Sequence, residues 1–226
     1  MKERLQEAFY WLNIWTWIRP ALWVVTRQDI MGKENVPRNG ALIFTCNHFS
    51  IGDPPLLLGI FPRRIVWMAK QELFDAPVFG KLYNMGGFIP VRRFEGDLRA
   101  IRRSQDALRR GRVLGMFPEG TRSGGHLGRA EPGTALIALR TGAPVLPAAI
   151  WGTEHVELPR DLFRRTRVRV RFGEPYRLPN PGRITRESIA RGSDEIMRRI
   201  AELLPAEYRG EYGATGTPSA TAEART

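Results

Sequence analysis

A chain of 226 residues has room for one α/β domain and not for two ordinary ones. With 42% hydrophobic and 26% charged residues it can close a packed core, which excludes wholesale disorder. The net charge of +12 rests on 31 Arg and four Lys, so phosphorylated small molecules, anionic lipid and nucleic acid all remain candidate partners, as does a plain bias toward Arg codons.

Residues 8–25 read AFYWLNIWTWIRPALWVV and hold four of the six tryptophans. The uncharged stretch before Arg19 is too short for a membrane span, which needs roughly 20 residues. Trp11, Ile14, Trp15, Ile18 and Leu22 recur at helical spacing, so an amphipathic helix is expected over 1–22. Tryptophan favours the membrane–water boundary, and an interfacial helix is the expected placement; docking on the protein's own core is the alternative. A secretory leader is not expected, since Glu3 and Glu7 dilute the basic start and Arg19–Pro20 break the apolar run.

Strands are predicted near 23–31, 41–46, 65–69, 87–91, 112–117, 145–150 and 167–172, and helices near 54–60, 97–110, 133–141 and 185–204. Asp97 is a good N-cap for the second of these helices, and Gly111 a stop signal after it. The alternation predicts a single α/β domain over 23–209, with a mixed, mostly parallel sheet flanked by helices. From 210 to 226 the chain is too poor in apolar residues to pack, and a disordered tail is expected.

Four segments carry the candidate chemistry. Asn47-His48 follows the apolar run ALIFTC, with Asp53 five residues beyond His48. Gly52 and Pro54 can supply the strand-to-helix bend that would set an imidazole against a carboxylate and strengthen it as a base. A core histidine, with Asp53 merely capping the next helix, fits the same residues. Phe117-Pro118-Glu119-Gly120-Thr121-Arg122-Ser123 ends a second apolar strand, where a glycine turn and Arg122 suit an anion or an ordinary surface turn. Gly87 to Arg92-Arg93 is a short strand ending in two cations, and Pro144–Ile150 is an apolar wall.

In order and spacing these segments resemble the four motif blocks of the glycerolipid acyltransferases, particularly the 1-acylglycerol-3-phosphate acyltransferases. Asn47, His48 and Asp53 meet the first block, residues 117–123 the second, 87–92 the third and 144–150 the fourth; AKQELF, with Lys70 and Glu72, is similar to the segment between. The resemblance spans about 25–175. It implies His48 as general base with Asp53 orienting it. It further implies Arg92 and Arg122 on the acceptor's phosphate and Glu119, Gly120 and Thr121 near its glycerol. Lys70 and Arg93 are less specific. The implied reaction acylates the sn-2 hydroxyl of lysophosphatidic acid from acyl-CoA or acyl-carrier protein, with no cofactor and no metal. The implied setting is the cytoplasmic face of the cell membrane, peripheral or monotopic on an anionic bilayer. Another lysophospholipid or glycerol 3-phosphate is an alternative acceptor.

Cys46 precludes an internal disulfide, being the only cysteine, and as a strand residue beside His48 it is expected to point into the core. A serine hydrolase is not expected, since the chain holds no Gly-x-Ser-x-Gly elbow. No nucleic-acid partner is expected: Arg169, Arg171 and the Arg-rich helix 97–110 lack an aromatic stacking motif. A non-catalytic basic membrane-binding module remains the reading from another class.

Overall fold

The computed structural model describes residues 2–213, apart from 78, 93–95, 158 and 162. Seven strands form one sheet: β1 (Thr26–Met31), β2 (Leu42–Cys46), β3 (Ile65–Lys70), β4 (Ile89–Val91), β5 (Val113–Met116), β6 (Val145–Trp151) and β7 (Thr166–Phe172). Their order is β1-β7-β6-β2-β5-β3-β4, and every neighbouring pair is parallel except β6 with β7. The helices are α1 (Lys2–Asn13), α2 (Arg19–Val25), α3 (Asp53–Ile60), α4 (Gln71–Asp75), α5 (Phe79–Gly86), α6 (Leu98–Arg109), α7 (Pro132–Thr141) and α8 (Arg186–Leu203).

Both faces of the sheet are covered, which is why β2 and β6 read as unbroken apolar runs instead of alternating. Successive residues of a strand point to opposite faces. Ile43, Leu114, Val145 and Ala149 pack with Ile137 of α7 and Ile196 and Ile200 of α8. Leu42, Phe44, Leu146 and Ile150 pack with Leu56, Leu57 and Ile60 of α3 on the other side. Asp97 caps α6 as the sequence predicts, accepting the Arg99 and Ala100 N–H groups at 3.0 Å each, and Gly111 follows its end at φ 72. The short α4 and α5 are absent from the predicted elements; at five and eight residues they show too few turns for a periodic signal.

The N-terminal helix departs from expectation in two ways. It is longer: α1, a π-helical turn at Ile14–Ile18 and α2 run on to Val25, so β1 begins at Thr26 and not near 23. Pro20 has no N–H to offer and its ring crowds the preceding turn, and the wider π turn just before it accommodates both. The single apolar stripe also splits. Tyr10 and Ile14 are buried against the domain, while Trp15 and Trp17 stand in solvent. Ile65 N–H donates to the Tyr10 hydroxyl at 3.2 Å. Leu22 approaches α3 so closely that a β-carbon on Gly59 would lie 2.6 Å from it. Docking and exposure thus occupy different sides of one helix. Among the described residues no helix is long and apolar enough to cross a membrane.

The ordered chain also extends past the expected boundary at 210. Gly210–Tyr212 forms a 3-10 turn, Tyr212 packs against the core, and Glu211 meets Arg129 at 3.1 Å. The rest of the expected tail, 214–226, lies outside the described residues.

Candidate active site

β2 ends in a buried amide lock. Asn47 Nδ2 donates to the Ile150 carbonyl at 2.7 Å and Ile150 N–H donates back to Oδ1 at 2.8 Å. The side-chain amide copies a peptide group, so β2 stays tied to β6 for one more residue while the main chain turns away. That turn presents His48. Its Nδ1 lies 2.9 Å from Asp53 Oδ2, and the same oxygen accepts the Phe49 and Ser50 N–H groups at 2.8 Å each. Asp53 opens α3 and is fully buried. The strand-to-helix bend therefore brings the five-residue offset into contact. An ionised carboxylate only accepts, so the network assigns the proton to Nδ1 and leaves the Nε2 lone pair for a substrate. The imidazole stacks on Phe117 at 4.1 Å, and Phe117 on Trp67 at 4.6 Å, which fixes its plane.

The 117–123 block closes over this turn. Glu119 is buried and its carboxylate faces main-chain donors: His48 N–H at 2.7 Å on Oε1 and Gly128 N–H at 2.8 Å on Oε2. The Ser123 N–H donates to the His48 carbonyl at 2.9 Å. Burial pushes the Glu119 carboxyl above its ordinary range, opposed by hydrogen bonds from Ser123, Gly128 and His48. Gly120 sits at φ 67, and a β-carbon there would lie 2.9 Å from the Glu131 side chain, so this turn requires glycine. Its N–H closes the turn on the Phe117 carbonyl at 3.0 Å and is not free for a substrate oxyanion.

A cleft of about 340 Å³ opens beside the imidazole. Its walls are largely apolar (Met68, Val91, Ile101, Met116, Leu136), and His48, Arg92 and Gly120 also line it. Arg92 is exposed, and its N–H donates to Asp97 at 3.1 Å. Thr121 and Arg122 are exposed on the adjoining loop and do not line the cleft. Neither does Lys70, which pairs with Glu72 at 2.9 Å at the end of β3. Arg93 lies outside the described residues. Cys46 is buried on the α3 side with its thiol pushed well up, first by burial and then by the charges of Asp53 and Glu119, so it is held as a neutral thiol. A second hollow, about 500 Å³ and lined by Arg109, Arg140 and Arg177, lies at the opposite ends of β2 and β6, remote from this chemistry. Among the described residues no group of His, Cys, Asp and Glu is arranged to hold a metal ion.

Two contributors escape the sequence reading. Thr153, just after β6, is buried and donates its hydroxyl to Asp53 Oδ1, completing the carboxylate's shell. The N-terminus of α7 brings Glu131, Pro132, Gly133 and Thr134 to the cleft, with no side-chain cap on its first-turn N–H groups. Such a terminus favours an anion. Pro132 at the first helical position signalled the helix start, but nothing local tied it to His48.

A family model described as acyltransferase matches residues 27–151. The 1-acyl-sn-glycerol-3-phosphate acyltransferase of Bacillus subtilis is 29% identical over 176 residues, covering 77% of this chain and 86% of that protein. The lyso-ornithine lipid O-acyltransferase of Pseudomonas aeruginosa is 37% identical over 111 residues, covering 48% of this chain and 42% of that one. The crystal structure of the 1-acyl-sn-glycerophosphate (LPA) acyltransferase PlsC from Thermotoga maritima superposes with a TM-score of 0.68 at 28% identity, covering 90% of this chain and 81% of that chain.

Proposed function

The chain belongs to the acyltransferase family, and from that premise we propose that it transfers an acyl group from a thioester to the sn-2 hydroxyl of 1-acylglycerol 3-phosphate. The observation that carries this reading is His48, held by Asp53 through Nδ1, on an apolar cleft with an arginine at its rim.

In this mechanism Nε2 takes the proton from the acceptor hydroxyl as its oxygen attacks the thioester carbonyl. The tetrahedral adduct collapses, the thiolate leaves, and His48 returns the proton to it. Positioned proton transfer of this kind contributes about 10²–10⁴ in rate. Asp53 holds the tautomer and stabilises the transient imidazolium. The first-turn N–H groups of α7 reach the cleft and offer a fixed positive end for charge on the carbonyl oxygen or the phosphate. Arg92 binds the acceptor's phosphate, and Arg122 on the neighbouring loop is the second cation. Acyl-CoA and acyl-carrier protein present the same thioester, and the apolar walls suit the acyl chain.

The decisive assay combines purified protein, labelled acyl-CoA and a panel of lysolipid acceptors, with His48→Ala beside the native chain. Turnover on 1-acylglycerol 3-phosphate that His48→Ala abolishes supports the reading; near-normal turnover in that variant sinks it. A second reading, an acceptor without the glycerol phosphate, is favoured by the similarity to the lyso-ornithine lipid enzyme. The same panel separates the two.

The setting we propose is the cytoplasmic face of a membrane, held by the outer side of the N-terminal helix. Trp15 and Trp17 are exposed there, and Arg19 lies 4.1 Å over the Trp15 ring. Indole and guanidinium together suit the headgroup boundary. Because Tyr10 and Ile14 belong to the core, the test is a Trp15→Ser/Trp17→Ser variant and not a deletion. Unchanged co-sedimentation of this variant with anionic vesicles would remove the anchor.

A further inference from the structure

The strand pairing places more than the N-terminal helix at the end of the sheet that carries His48. β7 runs antiparallel to β6, with Arg169 opposite Trp151, and β1 starts level with it, Thr26 opposite Thr166. The starts of β1 and β7 therefore lie where β2 and β6 finish. Three large apolar side chains stand out of the surface at this end. Phe163, in the turn before β7, is 81% exposed; Ile51, in the loop between His48 and Asp53, is 77% exposed; Trp23, in the last turn of α2, is 67% exposed. A lone exposed hydrophobe is ordinary, but several on connections that share one end form a surface.

Charge accompanies them. The Arg165 guanidinium lies 4.9 Å over the Trp23 ring. Its backbone is left-handed, at φ 51, the one non-glycine among the described residues to adopt that conformation. A residue with a β-carbon resists this conformation, and it is in this conformation that Arg165 lies against the indole. The acids of the same turn go elsewhere: Glu157 meets Arg160 at 3.3 Å and Asp161 meets Arg164 at 3.1 Å. Apolar tips beside an indole–arginine pair match the layering of a bilayer surface, with acyl boundary below and phosphate above.

We propose that Phe163, Ile51 and Trp23, with Arg165, form a second lipid-contacting rim that sets the His48 end of the sheet against an anionic bilayer. The proposal rests on the reading of the site as one that acts on lipid, and extends it from the N-terminal helix to two loops. A lysolipid then reaches the catalytic end without first leaving the membrane.

The test uses the full chain carrying Phe163→Cys, labelled with an environment-sensitive fluorophore. Cys46 is buried, so the label goes to the introduced thiol. Asn39→Cys, exposed at the opposite end of the sheet, is the control. On phosphatidylcholine vesicles containing phosphatidylglycerol, the position-163 label should shift to the blue and the position-39 label should stay aqueous. Phe163→Ser should weaken vesicle partitioning about tenfold, the effect of losing one inserted aromatic side chain. Turnover on a water-soluble short-chain acceptor should not change. The rim is overturned if bound protein leaves the 163 label in water, if both labels shift alike, or if Phe163→Ser binds as the native chain does. The label reports no acyl transfer, so a failure of the proposed activity and a failure of the rim are separate results.

Discussion

The role of Glu119 divides a substrate contact from a structural clamp, and Glu119→Gln separates them. In the structure each carboxylate oxygen accepts a main-chain N–H, from His48 at 2.7 Å and Gly128 at 2.8 Å. The amide keeps the shape but turns an NH₂ toward one of these donors. One charge-assisted bond, worth about 1.5–3 kcal/mol, falls to a neutral bond of about 1 kcal/mol, and the other N–H is left unsatisfied at about 1–3 kcal/mol. Relief from burying a charge offsets part of this, for a net loss of about 2 kcal/mol. In a chain of this length that lowers Tm by roughly 4–8 °C. Release of the His48 main chain misplaces the imidazole, and a shift of about 1 Å costs up to about 10² in kcat. The acceptor's KM should hardly change. Scanning calorimetry and steady-state kinetics on the purified variant read both quantities. The pH dependence adds a sign. Burial raises the Glu119 carboxyl above 4.5, so its contribution to stability is fully present below 4.5 and is lost as pH rises through the folded-state value. The gap in stability between native chain and variant should therefore widen as pH is lowered toward 4.5. A variant with unchanged Tm and a raised acceptor KM would refute the clamp and restore Glu119 as a substrate ligand.

Thr153→Val leaves Asp53 Oδ1 without its hydroxyl donor, and should lower kcat about tenfold with KM unchanged; Thr153→Ser should restore it, and native kcat in the valine variant would remove Thr153 from the positioning shell. Arg92→Ala should raise the KM for a phosphate-bearing acceptor about 10- to 150-fold, the worth of one charge-assisted bond, while the acyl donor's KM stays near native; equal losses for both substrates would mark a structural arginine. Cys46→Ala should keep its turnover, because the thiol is buried and held neutral; a folded but inactive variant would instead make the thiol a participant in acyl transfer. Deleting residues 2–19 should unfold the domain or lower its Tm sharply, since Tyr10 and Ile14 leave the core with it; a stable truncated protein would contradict the docking.

Much of this architecture is local and so was readable along the chain. Apolar runs bounded by turn residues located β2, β3, β5 and β6, alternation of Val with Arg located β7, and Asp97 located α6 by a cap that needs only its own next three residues. His48 and Asp53 are close in sequence, and a bend at Gly52 suffices to join them. The N-terminal stripe had the right period, but period alone does not say which side meets protein; that required Gly59 of α3 to admit Leu22 and Ile65 to bond Tyr10. The remaining decisions are long-range pairings. Asn47 is locked to Ile150 and Asp53 to Thr153, each about a hundred residues away, and Glu119 reaches back to the His48 main chain. A glutamate in a glycine turn carries no sign of whether it faces a substrate or a peptide N–H. The order of the strands settles that, because it decides which loops meet at the end of β2. Strand order depends on burying both faces of the sheet at once, a property of the whole chain and of no segment within it.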